Sequence, residues 1–258
     1  MHARFYAPSL SGSATTVDLD PEEAHHLVHV LRLGVGAEVL VFDGRGHQAR
    51  ARVERITRRA TTLAILEPAA AAPERLVRVT LAQAVLKGDR MDEVIRETAM
   101  MGVSTIVPVV SARTVVPWRT AASEGQRARW DRLAVSGAKQ CGRAVVPSIG
   151  RAATLTDVLL APLPAARLVL VEPAHGEMTS AHLPDLAQRA RGGGAVVLIG
   201  PEGGWTAAEV AEACRAGFEP WSLGPMTLRA DAVPLVALGV LYHEWESASR
   251  TGPSSGGD

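Results

Sequence analysis

Two segments near the C-terminal end carry the residues best suited to grip a small molecule. They are Leu198-Ile199-Gly200-Pro201-Glu202-Gly203-Gly204-Trp205 and Leu223-Gly224-Pro225-Met226-Thr227-Leu228-Arg229. A glycine has no Cβ and lets backbone N–H and C=O groups come close to a ligand, while a proline stiffens the loop that presents them. Neither segment has the GxGxxG or Walker spacing, and Pro201 removes an amide that a pyrophosphate would use. Glu202 disfavours a polyphosphate further and favours a ligand with an amino group, ribose hydroxyls or a sulfonium. Either loop alone also reads as a tight turn closing a strand–helix unit. Two of them on successive units predict one cofactor pocket.

The surrounding pattern says how these loops are held. Each follows a short apolar run and leads into a helical pattern, which predicts that both open at the same edge of a parallel sheet. From Leu76 onward strands and helices alternate: strand Val77 to Leu86, helix Asp89 to Met101 ended by Gly102, strand Val103 to Val110, and a long helix from Glu124 to about Gln140. Strand Leu168 to Val171 and helix Ala181 to Arg191 follow. Then come strand Ala195 to Ile199 and strand Pro220 to Leu223, each with its loop and helix. Thr206-Ala207-Ala208-Glu209 is a capping box that fixes where the helix after the first loop begins.

Residues 1–72 differ in kind. Val39-Leu40-Val41-Phe42 before Asp43-Gly44-Arg45-Gly46 is a hairpin signal, Gln48 to Ile56 returns, and Thr61 to Leu66 adds a strand, predicting a small β-barrel. Asp20, Pro21, Glu22 and Glu23 open a helix predicted to reach Leu33, with Gly34 as its stop. Glu67 to Pro73 reads as a linker, and residues 247–258 as a disordered Ser/Gly-rich tail. The expected organisation is therefore a β-barrel over 1–72, an α/β domain over 73–246 and the tail.

The chain has 258 residues, 47% of them apolar, enough for a substantial core. It contains no apolar run of the roughly 18 to 20 residues a membrane span requires and no secretory pattern at its N-terminus, so a cytoplasmic location is expected. Cys141 and Cys214 lack metal-binding spacing and read as reduced thiols. His25, His26 and His29 have no third spaced ligand, so no metal site is expected. With 27 basic and 27 acidic residues the formal charge is zero, and any nucleic-acid binding must use local patches. Two arginine-rich stretches, Arg45 to Arg59 and Arg127 to Arg151, are candidates, although each also reads as a solvated face.

Taken together, Leu198 to Gly204, Leu223 to Arg229 with the apolar helix behind it, Gln140-Cys141-Gly142-Arg143 with Pro147, and His26 to Leu33 before Val41-Phe42-Asp43-Gly44 resemble the RsmE-type ribosomal RNA methyltransferases of the SPOUT superfamily. The resemblance runs from about residue 4 to 245 with the motifs in order. It implies an N-terminal PUA-like barrel that helps hold RNA and a C-terminal α/β domain with a trefoil knot. It also implies a homodimer and S-adenosylmethionine-dependent methylation of uridine N3 in small-subunit ribosomal RNA. By position, the cofactor would be lined by Ile199, Gly200, Glu202 and Gly203 from the first loop, by Leu223, Gly224, Met226, Leu228 and Arg229 from the second, and by Val171 and Glu172. RNA contacts would fall to His26, Arg32, Lys87, Gln140 and Arg143. The chain has Met226 where the family often has arginine, Ala230-Asp231-Ala232 in place of a Thr-Glu-Thr-like run, and Lys139 in place of a common glutamate.

Methyl transfer from a sulfonium needs alignment and exclusion of water above all. Uridine N3 must also lose a proton, so a base or a group stabilising the uracil anion is expected. Arg229 suits the electrostatic role, with a salt bridge to Asp231 or Glu202 as the plainer reading. Asp231 and Glu202 are the candidate bases. A catalytically inactive RNA-binding or assembly factor is the rival reading. Because N3 lies on the pairing edge of uracil, the target nucleotide must be single-stranded or extruded.

Overall fold

The computed structural model describes residues 2–173 and 181–250. Its contacts divide the chain into two compact units, Met1–Glu74 with Val135–Val146, and Arg75–Ala134 with Pro147–Asp258.

In the first unit, β1 (Arg4–Tyr6), β2 (Thr16–Leu19), β3 (Glu38–Phe42), β4 (Gln48–Ile56) and β5 (Thr61–Pro68) form a sheet in the order β1-β3-β4-β5-β2. Only the β1–β3 pair is parallel. Phe5, Leu27, Val39, Val41, Val53 and Leu63 fill its core. At the β3–β4 hairpin the buried Asp43 accepts the amides of Arg45 (2.7 Å) and His47 (3.0 Å), which ties the turn to its own side chain.

The helix expected to run from Pro21 to Leu33 is shorter than the pattern suggested. Asp20 caps α1 (Pro21–His25) through the Glu23 amide, but the chain then widens into a π turn over His26–Val30. The Leu31 amide donates to His26 O, and Arg32 takes φ +54, the one left-handed non-glycine among the described residues. The stop is this turn, not Gly34.

Residues Val135–Val146 group with this unit, which the domain boundaries read from sequence did not include. Lys139 Nζ donates to both carboxylate oxygens of Glu23 (2.7 and 2.8 Å), and the Arg4 guanidinium donates to the carbonyls of Ala138, Lys139 and Arg143. Arg4 thereby satisfies helix-end carbonyls that have no intrahelical partner. Burial pushes the Glu23 carboxyl up, against the pull of Lys139.

In the second unit, strands and helices alternate: β6 (Val79–Ala84), α2 (Arg90–Met101), β7 (Thr105–Val110), α3 (Trp118–Ala121), α4 (Glu124–Cys141), whose residues from Val135 belong to the first unit, β8 (Ser148–Ile149), β9 (Ala153–Thr154) and α5 (Leu155–Leu160). The chain continues through β10 (Ala166–Leu170), α6 (Leu183–Arg191), β11 (Ala195–Ile199), α7 (Ala207–Arg215), β12 (Glu219–Trp221) and α8 (Val233–Arg250). The sheet order is β12-β10-β11-β6-β7-β8, with β9 also on β7, and every pair is parallel. All five residues of β11 are buried, as a central parallel strand covered on both faces requires. Gly102 ends α2 in the left-handed conformation (φ +105). α8 continues through Arg250, so residues 247–250 of the expected disordered tail are helical; 251–258 lie outside the described residues.

Candidate active site

Parallel pairing with β10 in the middle decides where the site lies. β11 and β12 each pair with β10, so their C-terminal ends, and the loops that follow, emerge at one edge on either side of Val171 and Glu172. Between them is a cleft with about 810 Å³ of empty space, part of it open solvent. Val171, Glu172, Ile199, Gly200, Glu202, Leu223, Met226 and Leu228, all expected from sequence, line it. Gly203, Gly224 and Arg229 do not reach its wall. Gly203 turns its carbonyl to Arg113, Gly224 sets the second loop with φ +116, and Arg229 pairs with Asp231.

The first loop is a braced wall. The Gly204 amide donates to Pro201 O (2.9 Å), and Arg113 Nη1 donates to Gly203 O (2.8 Å) and Trp205 O (3.3 Å). Glu202 Oε1 accepts the Lys87 amide at 3.0 Å and Arg90 Nη1 at 3.4 Å. Gly204 has φ +65, which favours glycine, and a Cβ there would stand 2.6 Å from Glu172 Oε1, so a larger residue would push that carboxylate aside. Thr206 caps α7 through the Glu209 amide, and Glu209 returns to the Thr206 amide, completing the predicted capping box. The other Glu209 oxygen accepts the Ala112 amide.

The second loop is open. Pro225, Met226, Thr227, Leu228 and Arg229 are exposed, and within it Ser222 Oγ donates to Gly224 O at 3.2 Å. At its end Arg229 donates through Nε (3.1 Å) and Nη2 to Asp231, which is buried. This pairing holds the Asp231 carboxyl below its usual range. The plainer reading of Arg229, a salt bridge to Asp231, is the arrangement found.

The donor set and shape suit a cationic, hydroxyl-bearing ligand. Glu172 and Glu202 stand in the wall with apolar Leu170, Ile199, Leu223 and Val233, and Pro201 offers no amide. Acidic groups of this kind favour a positive centre and repel a phosphate chain.

The matching family models are described as an RNA methyltransferase domain, over residues 73–242, and an RNA methyltransferase PUA domain, over residues 19–66. The proteins named ribosomal RNA small subunit methyltransferase E include one from Synechocystis sp., 32% identical over 90% of this chain and 74% of its own length. Another, from Mycobacterium bovis, is 31% identical over 95% of this chain and 94% of its own. The chain belongs to the ribosomal RNA small subunit methyltransferase E family. Among solved structures, the family protein from Neisseria gonorrhoeae, bound to S-adenosylmethionine, superposes with a TM-score of 0.84 at 30% identity, covering 95% of this chain and 98% of that one. A Legionella pneumophila protein in complex with the same cofactor gives 0.83 at 26% identity, covering 94% and 98%. The expected fold class, an α/β parallel-sheet domain with a small N-terminal PUA-like β-domain, is therefore that of this family.

Placement corrects one residue expected to touch RNA. Arg143 is buried, with its guanidinium on Glu74 (Nε 3.0 Å), and so stabilises the first unit from within instead of facing a ligand. Arg32, Lys87 and Gln140 are exposed, and His26 is half-buried with its ring edge-on to Phe5. Sequence reasoning missed Arg113 and Trp205 as parts of the cleft. Trp205 closes the first quoted segment and was legible there as an apolar wall, whereas Arg113 is brought in only by sheet order.

Proposed function

We propose that this chain transfers a methyl group from S-adenosylmethionine to N3 of a uridine in small-subunit ribosomal RNA, as a homodimer and without a metal ion. The observation that carries the reading is the cleft in which two glycine–proline loops converge on the ends of β10, β11 and β12. Membership of the family supports methyl transfer to ribosomal RNA. N3 as the acceptor, the homodimer and the trefoil threading of the C-terminal segment come from the likeness of motifs.

The cofactor, when bound, supplies an electrophilic methyl group. Ile199, Gly200, Leu223, Met226 and Leu228 would enclose it, with Glu172 and Glu202 as its charged neighbours and Gly203, Gly224 and Arg229 shaping the loops that hold it. The buried Ile199 and Trp205 give the cleft a dry side, and the braced first loop would fix orientation, the main requirement of an in-line transfer. Arg229 presents donors at the rim and would offset negative charge on the reacting base while Asp231 holds its guanidinium. Arg32, His26 and Gln140 in the first unit, and Lys87 in the second, would contact RNA phosphates or bases. Val236 and Val240, one turn apart and exposed on α8, are the candidate apolar contacts for a second copy.

The test is incubation of the purified chain with isotopically labelled cofactor and small subunits from cells lacking this activity, followed by mass-spectrometric mapping. One N3-methyluridine at a single position is expected. Cofactor binding without transfer would instead establish the inactive assembly factor.

A further inference from the structure

Uridine N3 carries a proton that must leave before or during methyl transfer, and three carboxylates stand near the cleft: Glu172, Glu202 and Asp231. Asp231 is unsuited to accept it. Both of its oxygens are bonded to Arg229, and it does not line the cleft. Glu172 lies against the backbone of Gly204, inside the wall that faces the cofactor.

Glu202 is different. Its Oε1 is fixed by the Lys87 amide (3.0 Å) and by Arg90 Nη1 (3.4 Å), while Oε2 has no hydrogen bond among the described residues. The side chain is 26% exposed and lines the cleft. One oxygen is anchored and the other is left without a partner among the described residues, which is what a positioned base requires. The charged groups around it are Lys87 before α2, Arg90 in the first turn of α2, Arg113 after β7, Glu172 after β10, and the Arg229–Asp231 pair, which Glu93 of α2 also faces.

We propose that Glu202 is the proton acceptor of the reaction, with Arg90 and the Lys87 main chain as the groups that position it; this rests on the uridine N3 reading above. N3 gives its proton to Glu202 Oε2 and forms the bond to the methyl carbon. The carbon–sulfur bond breaks with its electron pair returning to sulfur. Charge balances, since carboxylate, uridine and sulfonium become carboxylic acid, N3-methyluridine and thioether, and the acid then releases its proton to water. Arg90 is a positioning residue, because it acts through Glu202.

The experiment compares the intact wild-type chain with Glu202→Gln, Arg90→Gln and Arg90→Lys on small subunits. Glutamine at 202 keeps an oxygen for the Lys87 amide but cannot take the proton. Its turnover should fall about 100-fold or more at neutral pH, the scale of general base catalysis. Its rate at saturating cofactor, where any loss of affinity from the missing wall charge drops out, should then climb about tenfold per pH unit where the wild type is level. Target RNA carrying 5-fluorouridine, whose N3–H is more acidic, should restore the variant more than the wild type. Arg90→Gln should lower turnover at unchanged affinity for cofactor and RNA, and Arg90→Lys should recover part of it. A Glu202→Gln profile parallel to that of the wild type, or a rate loss that saturating cofactor abolishes, overturns the proposal and leaves Glu202 as a wall residue. If the wild type methylates nothing, or another atom, the functional reading falls and takes this inference with it; an active wild type beside a parallel profile removes Glu202 alone.

Discussion

The two loops of the cleft share glycine and proline yet are built in opposite ways. The first is tied at every stage: its own turn, Arg113 on two carbonyls, Glu202 on the Lys87 amide, and a capping box behind it. The second is exposed from Pro225 to Arg229 and secured chiefly at its end, where Arg229 meets Asp231. A ligand enclosed by one rigid and one open wall has its orientation set by the first and its entry and exit governed by the second. That division suits an enzyme that must align its cofactor and still release the product.

Substituting glycines in both loops tests this contrast most severely. Gly204→Ala pushes the Glu172 carboxylate from its place in the wall and should cut cofactor affinity about 100-fold by calorimetry, with about 1–2 kcal/mol of lost stability from φ +65. Gly224→Ala meets nothing within 4 Å of its Cβ, so affinity should fall only a few-fold, but φ +116 lies beyond the left-handed well and should cost roughly 1–3 kcal/mol of stability. Equal losses of affinity from the two would erase the distinction. Next in size, Arg113→Ala removes charge-assisted bonds to the carbonyls of Gly203 and Trp205 and should weaken cofactor binding about tenfold with little change in Tm. Thr206→Ala loosens the same wall from behind. It should lower stability by about 1 kcal/mol, a Tm shift of roughly 2–4 °C, seen by calorimetric scanning.

The smallest effect belongs to the anchor of the second loop. Pairing with Arg229 depresses the Asp231 pKa in the folded chain, so its contribution to stability is present above the ordinary carboxylate pKa and is lost as pH falls through the depressed value. Wild type and Asp231→Asn should therefore differ in Tm by a constant amount near neutral pH and converge in acid. A difference that persists at the lowest pH would mean that the ion pair is not what holds this loop.

Much of the site was legible because its signals are local. A capping box spans four residues, Gly102 stops its own helix, and strand–loop–helix order places loops at a sheet edge without knowledge of strand neighbours. What escaped depends on who pairs with whom. The strand order that sets β10 between β11 and β12 is not written in any one segment, and Val171 and Glu172 were expected only through the family resemblance. Arg113 reaches Gly203 across 90 positions of sequence, and Arg143, an arginine in a basic stretch, is buried by Glu74 from 69 positions away. A charged side chain's partner is a tertiary fact, so a motif reveals its presence but not its direction. The shortened first helix has the same origin: apolar spacing continued to Leu33, while the backbone widened after His25.

Trp205 gives the cleft its own optical reporter. Its indole forms part of the wall, 5% exposed, with Nε1 buried beside Gly200 and lacking a hydrogen-bond partner among the described residues. Trp118, Trp130, Trp221 and Trp245 do not line that space. Filling it should therefore alter the emission of one native fluorophore among five, so occupancy can be followed in solution without attaching a dye.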